Sequence, residues 1–226
     1  GVLSPIIWNI TFNEFIELIN SMDNTHMTIF ADDGFAVVCG ESATELKVRA
    51  LDLLQTTREW TDQAGLTVNA GKTELLYVGD NLSTEPPLIE FEGHCLEYHP
   101  TAKFLGVLFD RHLTFRTHIG QKIRHAKMML TKAAGVQGWD WGPKPQILKW
   151  LFNTVIKPAM TYGCIVWSGK TAHFNKQLTK VNRLALTCMV KVRKGTPTAG
   201  LEVLLGVAPL NLEIERLALK CHLRIP

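Results

Sequence analysis

The sequence contains no C-x-x-C pair, no apolar run long enough to cross a bilayer and, between residues 116 and 200, no acid other than Asp140. Each absence excludes something. The five cysteines, Cys39, Cys95, Cys164, Cys188 and Cys221, are odd in number and widely spaced, so reduced thiols in an intracellular protein are a better reading than a disulfide framework. His94, Cys95 and His99 lie close in sequence but lack a fourth ligand and the two-plus-two spacing of structural zinc. The most apolar stretch, Leu148 to Val166, is interrupted by Lys149, Asn153, Lys157 and Pro158, so no membrane span is expected. No signal peptide or other targeting signal is recognisable.

What remains is ordinary globular composition, 46% hydrophobic and 20% charged over 226 residues, enough for one large domain or two small ones. The net charge of +3 hides a division. Residues 1–115 carry 6 Lys and Arg against 17 Asp and Glu, a net of −11; residues 116–226 carry 18 against 4, a net of +14. An acidic part joined to a basic part implies two surfaces with two tasks. The basic part suits a polyanion such as nucleic acid, and a solvated basic helical surface is the competing explanation.

Periodicity divides the chain at the same place. Ser4-Pro5 reads as N-cap and first helical residue, followed by Trp8, Phe12, Phe15 and Ile19 at helical spacing. Two short apolar runs, 26–31 and 35–39, flank Asp32-Asp33-Gly34, the pattern of a hairpin. Ser42 and Glu45 form a capping box before a long helix that Gly65 stops. Residues 66–69 and 73–78 read as a strand pair or a bent strand, 88–91 and 95–98 as short strands, and 103–110 as one further strand. After residue 115 the period becomes helical. Helices are expected with an apolar face of Ile119, Ile123, Ala126, Leu130 and Ala133, then over 145–157 stopped by Pro158, then with Phe174, Leu178, Val181, Ala185 and Cys188 inward, and finally near 198–205 and 211–224. Residues 159–167 fit helix or strand.

Phe30-Ala31-Asp32-Asp33 is the centre of the chemistry. Adjacent carboxylates at a hairpin tip repel one another, which is tolerable in solvent and useful for holding Mg²⁺ (or Mn²⁺), whose preferred ligands are carboxylate oxygens and water. Asp-Asp-Gly is also simply a good turn sequence. Gly65, Gly71, Lys72 and Thr73 imitate a phosphate loop, but five residues separate the glycines where four are needed. On the third basic helix, Lys176, Lys180 and Arg183 at i, i+4 and i+7 share one face, a geometry for following a phosphate backbone, or a solvated face. Trp139, Trp141, Trp150 and Trp167 are candidate base-stacking platforms; Trp150 and Trp167 lie in apolar stretches and are expected in the core.

Four segments in order resemble the reverse transcriptase family. Phe30-Ala31-Asp32-Asp33 resembles its Tyr/Phe-x-Asp-Asp signature. Gly1-Val2-Leu3-Ser4-Pro5-Ile6-Ile7-Trp8-Asn9 resembles the segment leading into a palm helix. Gly65-Leu66-Thr67-Val68-Asn69-Ala70-Gly71-Lys72-Thr73-Glu74 resembles the next motif, and Phe104-Leu105-Gly106-Val107-Leu108-Phe109-Asp110 resembles the primer-grip strand. Thr161 to Trp167 and Thr196 to Gly206 resemble the thumb and following region of Jockey-like non-LTR (LINE-type) retrotransposon enzymes, better than retroviral or group II intron enzymes.

The resemblance implies an α+β fold: a partial palm over residues 1–115, an antiparallel sheet with helices, then a mostly helical basic thumb or connection region over 116–226. It implies two-metal nucleotidyl transfer in the intact parent, with Asp32 and Asp33 as metal ligands and Lys72 as the acid that protonates departing pyrophosphate, unless Lys72 is a surface lysine beside a turn. It further implies Leu105 and Gly106 at the primer grip, and an RNA template with a DNA primer and dNTPs as partners. By the same resemblance the parent element's enzyme acts in the nucleus.

The family's first catalytic Asp, its fingers and its dNTP-gripping Gln have no counterpart here. Gly1 is not an initiator Met, and a piece of a longer protein is expected, holding the cation weakly. A non-catalytic nucleic-acid-binding module and a decaying retroelement relic are the alternatives. The isolated chain is expected to give no primer extension with Mg²⁺ and dNTPs. Extension that Asp32→Ala abolishes would refute the incompleteness and confirm the site.

Overall fold

A computed structural model describes residues 3–79, 86–136, 141–192 and 195–224. The chain forms two compact units, Gly1–Leu113 and Thr114–Pro226. The architecture is α+β: antiparallel hairpins with two long helices in the first unit, helices in the second.

The first unit opens with helix α1, Ser4–Asn20. Its N-cap is Leu3, not Ser4, and no side chain caps it; Pro5 sits in the first turn, where its missing N–H is no loss. Phe15 and Ile19 are buried, whereas Leu3, Ile6, Ile7 and Ile10 form a ridge that is more than half exposed. Strands β1, Thr25–Phe30, and β2, Asp33–Val38, follow as an antiparallel hairpin. Helix α2, Ala43–Gln63, is capped as its sequence indicates: Ser42 Oγ accepts the Glu45 N–H at 3.2 Å. The Glu45 carboxylate instead takes the N–H of Glu41, at 2.7 Å, one residue outside the expected box. Beyond α2, Gly65 adopts φ +67° and the chain leaves the helix.

Phe15, Ile19 and Leu53 form a core against which Met27, Ile29 and Val38 of the hairpin pack, with Phe12 and Trp60. A second core gathers Ala70, Ile89, Phe91 and Leu96. Around it stand β3, Glu90–Phe91, and β4, His94–Cys95, a minimal hairpin turned at Glu92 and Gly93. Residues 66–69 and 73–78 do not form strands. They run extended around a single 3₁₀ turn, Ala70–Lys72, and join the rest through one parallel bridge, Leu75 to Tyr98. Burial of Ala70 and the packing of Val68 and Leu75 hold this segment, not a ladder.

The segment 103–110 is likewise not one strand. Strands β5, Thr101–Phe104, and β6, Val107–Asp110, pair antiparallel across Leu105 and Gly106. These two residues have φ of +45° and +79°. A two-residue turn with both residues left-handed matches the twist of the strands it joins. Leucine is rare in that conformation, so the apolar run gives little warning of the reversal.

In the second unit, α3, Arg116–Gly135, buries Ile119, Ile123, Ala126 and Leu130 on one face as its spacing predicts. Helix α4, Pro145–Leu151, does not stop at Pro158. It continues through a π-helical turn, Phe152–Ile156, into α5, Lys157–Thr161. The wider turn relieves the register that a proline would otherwise break. Leu148, Phe152, Ile156 and Met160 line its buried face. Trp150 lies off that face and is 62% exposed, so it is not the core residue its apolar neighbourhood suggests. Trp167 is buried and donates its indole N–H to the Tyr162 carbonyl at 3.1 Å. Trp141 is exposed, and Trp139 falls outside the described residues.

Residues 159–167 are helical around a reversal at Gly163, φ +68°, which leads into α6, Cys164–Trp167. After a 3₁₀ segment, Ser168–Phe174, come α7, Asn175–Val190, then α8, Thr198–Leu205, and α9, Leu210–His222. Helix α7 packs on α3, α4, α8 and α9, and buries Leu178, Val181, Ala185, Leu186, Cys188 and Met189.

His118 is buried on α3 with the Trp167 ring 6.0 Å away. Burial first, and then the Lys122 ammonium, lower its pKa to about 4. A histidine that is harder to protonate when folded binds its proton more readily in the unfolded chain. Stability is therefore complete above pH ~6.5 and is lost as pH falls towards 4. The loss by pH 4 is about 3 kcal/mol at most, because a tenfold change in proton affinity is worth about 1.4 kcal/mol. Urea denaturation of the chain at pH 7 and pH 4.5 checks this, and His118→Gln is expected to flatten the difference.

Candidate active site

The register of the β1–β2 hairpin assigns each residue a face. Thr25, Met27, Ile29, Ala36 and Val38 lie towards the α1–α2 core, while His26, Thr28, Phe30, Asp33 and Phe35 lie on the opposite face. Phe30 pairs with Asp33, so the turn consists of Ala31 and Asp32. The expected Asp-Asp-Gly turn is thus displaced by one residue: Asp33 and Gly34 belong to β2. Gly34 lies opposite Ile29, and a Cβ there would meet Met27 Cε at 3.2 Å. Small size beneath the methionine, not a left-handed backbone, is what this glycine contributes.

Asp32 and Asp33 are both exposed. Among the described residues neither makes an ion pair or a side-chain hydrogen bond. Their mutual repulsion is left to solvent, and their oxygens can accept a cation. The fit to Mg²⁺ or Mn²⁺ is that of two adjacent oxygen donors; among the described residues no cluster of three His, Cys, Asp or Glu completes a shell.

Helix α1 holds the hairpin from its outer edge. Asn20 Oδ1 accepts the Met27 N–H at 2.7 Å, and Asn20 Nδ2 donates to the Met27 carbonyl at 3.3 Å. Twelve residues earlier, Trp8 Nε1 donates to the Ala31 carbonyl at 2.8 Å. On the other side, Phe35 stacks on Phe104 at 4.8 Å and lies 5.7 Å from Phe109. The β5–β6 hairpin, turned at Leu105 and Gly106, is thereby pressed onto the face that carries Asp33. Phe35 and Phe104 are aromatic residues in ordinary strand positions, and spacing alone does not pair them.

Lys72 ends the 3₁₀ turn anchored by buried Ala70. It is exposed, and among the described residues no ion pair joins it to either aspartate.

Residues 1–109 match the reverse transcriptase (RNA-dependent DNA polymerase) family. That matched segment belongs to the reverse transcriptase family, and the chain as a whole is similar to proteins of non-LTR retrotransposons. It is 24% identical over 99% of its length to a 115 kDa protein in the type-1 retrotransposable element R1DM of Drosophila melanogaster. It is 27% identical over 97% of its length to a retrovirus-related Pol polyprotein from the type-1 element R1 of Bradysia coprophila. An RNA-directed DNA polymerase from the mobile element jockey of Drosophila funebris is 27% identical over 87% of the chain. The chain spans 22% of the first two relatives and 21% of the third. No solved structure matches it. The family works with Mg²⁺ or Mn²⁺ and binds template, primer and dNTP, and among the described residues no helix is long and apolar enough to cross a membrane.

In the basic unit the three residues read as one phosphate-binding face separate. Lys176 and Lys180 on α7 are exposed, and no hydrogen bond or ion pair engages either among the described residues. Arg183 is half-buried, and its Nη1 donates to the Thr196 carbonyl at 2.8 Å and to Thr198 Oγ1 at 2.7 Å. Beside it, buried Asn182 donates to Glu202 Oε1 at 2.7 Å. Both side chains fasten α8 and its preceding loop to α7, so Arg183, unlike the two lysines, is engaged within the unit. Arg183→Ala is expected to cost about 2 kcal/mol, the scale of charge-assisted hydrogen bonds. Lys176→Ala and Lys180→Ala should stay within about 0.5 kcal/mol. Denaturant midpoints of the three variants decide.

Proposed function

We propose that this reverse transcriptase segment supplies the palm carboxylates and the thumb of an RNA-directed DNA polymerase acting on an RNA template with a DNA primer and dNTPs. The observation that carries the reading is the Asp32–Asp33 pair: exposed, unneutralised, and braced on both faces of its hairpin. When bound, divalent cations would supply activation of a primer hydroxyl and charge stabilisation of the leaving pyrophosphate. Asp32 and Asp33 would hold that metal. Their part is to present oxygens at a tip that does not reorganise, since misplaced ligands lose most of the electrostatic benefit.

Lys72 would act as general acid, its exposed ammonium donating a proton to the departing pyrophosphate. The Leu105–Gly106 turn would bear on the primer strand as a grip; the stacking of Phe104, the residue before the turn, on Phe35 of the hairpin face that carries Asp33 supports this. In the basic unit, Lys176 and Lys180 would follow the duplex phosphates, while Arg183 would keep the α7–α8 junction in shape for them.

A primer–template affinity measurement over a salt series tests the thumb reading. Each phosphate contact releases condensed counterions, so affinity should fall steeply with salt. Lys176→Ala and Lys180→Ala should each flatten the slope by roughly one unit, uniformly across sequences. Folding is verified first, because an unfolded basic chain also binds nucleic acid. A folded double variant with the parent's affinity and slope would sink the proposal.

A further inference from the structure

Among the described residues strand β1 pairs with β2 along one edge only, and α1 lies along the other. Side chains of α1 meet backbone polar groups on that side at Met27 and, beyond the strand, at Ala31. Asn20 satisfies both backbone groups of Met27, as a neighbouring strand would. Trp8 satisfies the carbonyl of Ala31 at 2.8 Å. The second contact falls at the residue immediately before Asp32.

Ala31 is the more demanding of the two sites. Its φ is +55°, a left-handed conformation disfavoured by any Cβ. The next residue is Asp32, and Asp33 closes the turn opposite Phe30. Two adjacent like charges follow a strained residue at a tip surrounded by solvent, and each of these features favours opening. The donor that opposes opening is itself held. The Trp8 ring stacks on Phe12 at 4.4 Å, Phe12 lies 5.1 Å from Trp60, and Trp60 stacks on Phe15 at 4.5 Å. Phe15 is buried. A column of rings therefore connects the turn to the core between α1 and α2.

We propose that Trp8 is a positioning residue for the Asp32–Asp33 pair: its indole N–H locks the left-handed Ala31 and so fixes where the two carboxylates stand. The proposal rests on the reading that this pair holds a divalent cation. Metal ligands must be held within about half an ångström to be useful, and hydrogen bonds behind the ligands commonly do this. Here the hydrogen bond acts through the backbone of the preceding residue.

The test uses the whole 226-residue chain and two readouts. Trp8→Phe retains a ring to stack on Phe12 and removes the donor. Replacement of Trp8 by 3-benzothienylalanine keeps the full bicyclic shape and removes only the N–H, which covers the case of Trp8→Phe packing poorly. Hydrogen exchange of the Phe30 and Asp33 amides, followed by NMR, reads the turn directly. Mn²⁺ affinity, followed by water-proton relaxation, reads the consequence. In both variants exchange at these two amides should rise roughly fivefold, the equivalent of one net hydrogen bond, and Mn²⁺ affinity should fall by a similar factor. Exchange across α3 should not change.

Parent-like exchange at Phe30 and Asp33 in either folded variant overturns the proposal, whatever the metal does. Parent-like Mn²⁺ affinity in both variants, while Asp33→Asn loses it, also overturns the role assigned to Trp8. If Asp33→Asn leaves Mn²⁺ binding intact, the metal-holding reading of the pair fails instead, and the exchange rates still judge the lock on the turn.

Discussion

A β-strand that pairs on one side only leaves alternate N–H and C=O groups facing outwards, and something must meet them. At Met27 of β1 and at Ala31 of the turn beyond it, side chains of α1 do this, and the acidic tip is held through them. Asn20 imitates a strand at Met27, and Trp8 reaches the carbonyl of Ala31. Because α1 also contributes Phe15 and Ile19 to the core, the edge of the hairpin is tied to the packed interior. The opposite face is covered where Phe35 meets Phe104 and Phe109. An exposed pair of carboxylates is thus carried on a hairpin restrained on both faces and along one edge, while its own oxygens remain unengaged.

The second unit solves a different problem. With a net charge of +14 over residues 116–226, its helices must pack without neutralising one another's surfaces. They do so mainly with apolar stripes, and with few ion pairs: among the described residues Lys157 and Arg216 both pair with Glu213. Hydrogen bonds to Arg216 are the main reason the Glu213 carboxyl is held below its usual range. Arg183 is taken up by the α7–α8 junction, and Lys176 and Lys180 are not. A helical face that looks uniform in sequence is divided in its contacts by what lies beside it.

Much of this was legible beforehand. The helices of the basic unit, the capped α2 and the carboxylate hairpin follow from local rules of period, cap and turn, and these act within a few residues. The misjudged segments share a physical cause. Leu105-Gly106 reads as strand because its neighbours are apolar, and the turn demands left-handed backbone that leucine seldom adopts. Pro158 reads as a stop because an α-helix interior cannot accommodate it, whereas here it stands in the first turn of α5, just after a π-helical turn. Trp150 reads as core because hydrophobicity averaged along a chain does not record which way a side chain points.

The sequence by itself determined the family, the order of its motifs, the separation of acidic from basic parts and the adjacency of Asp32 to Asp33. All of these are properties of near neighbours along the chain. Tertiary structure alone decided that Asp33 lies in a strand and Asp32 in the turn, that Trp8 serves the turn and not only the core, that the Leu105–Gly106 hairpin stacks on the face that carries Asp33, and that Arg183 is engaged within its unit. Those outcomes depend on which backbone groups are left unpaired once distant segments meet. No spacing along one segment records that, because the partner lies tens of residues away or on another element.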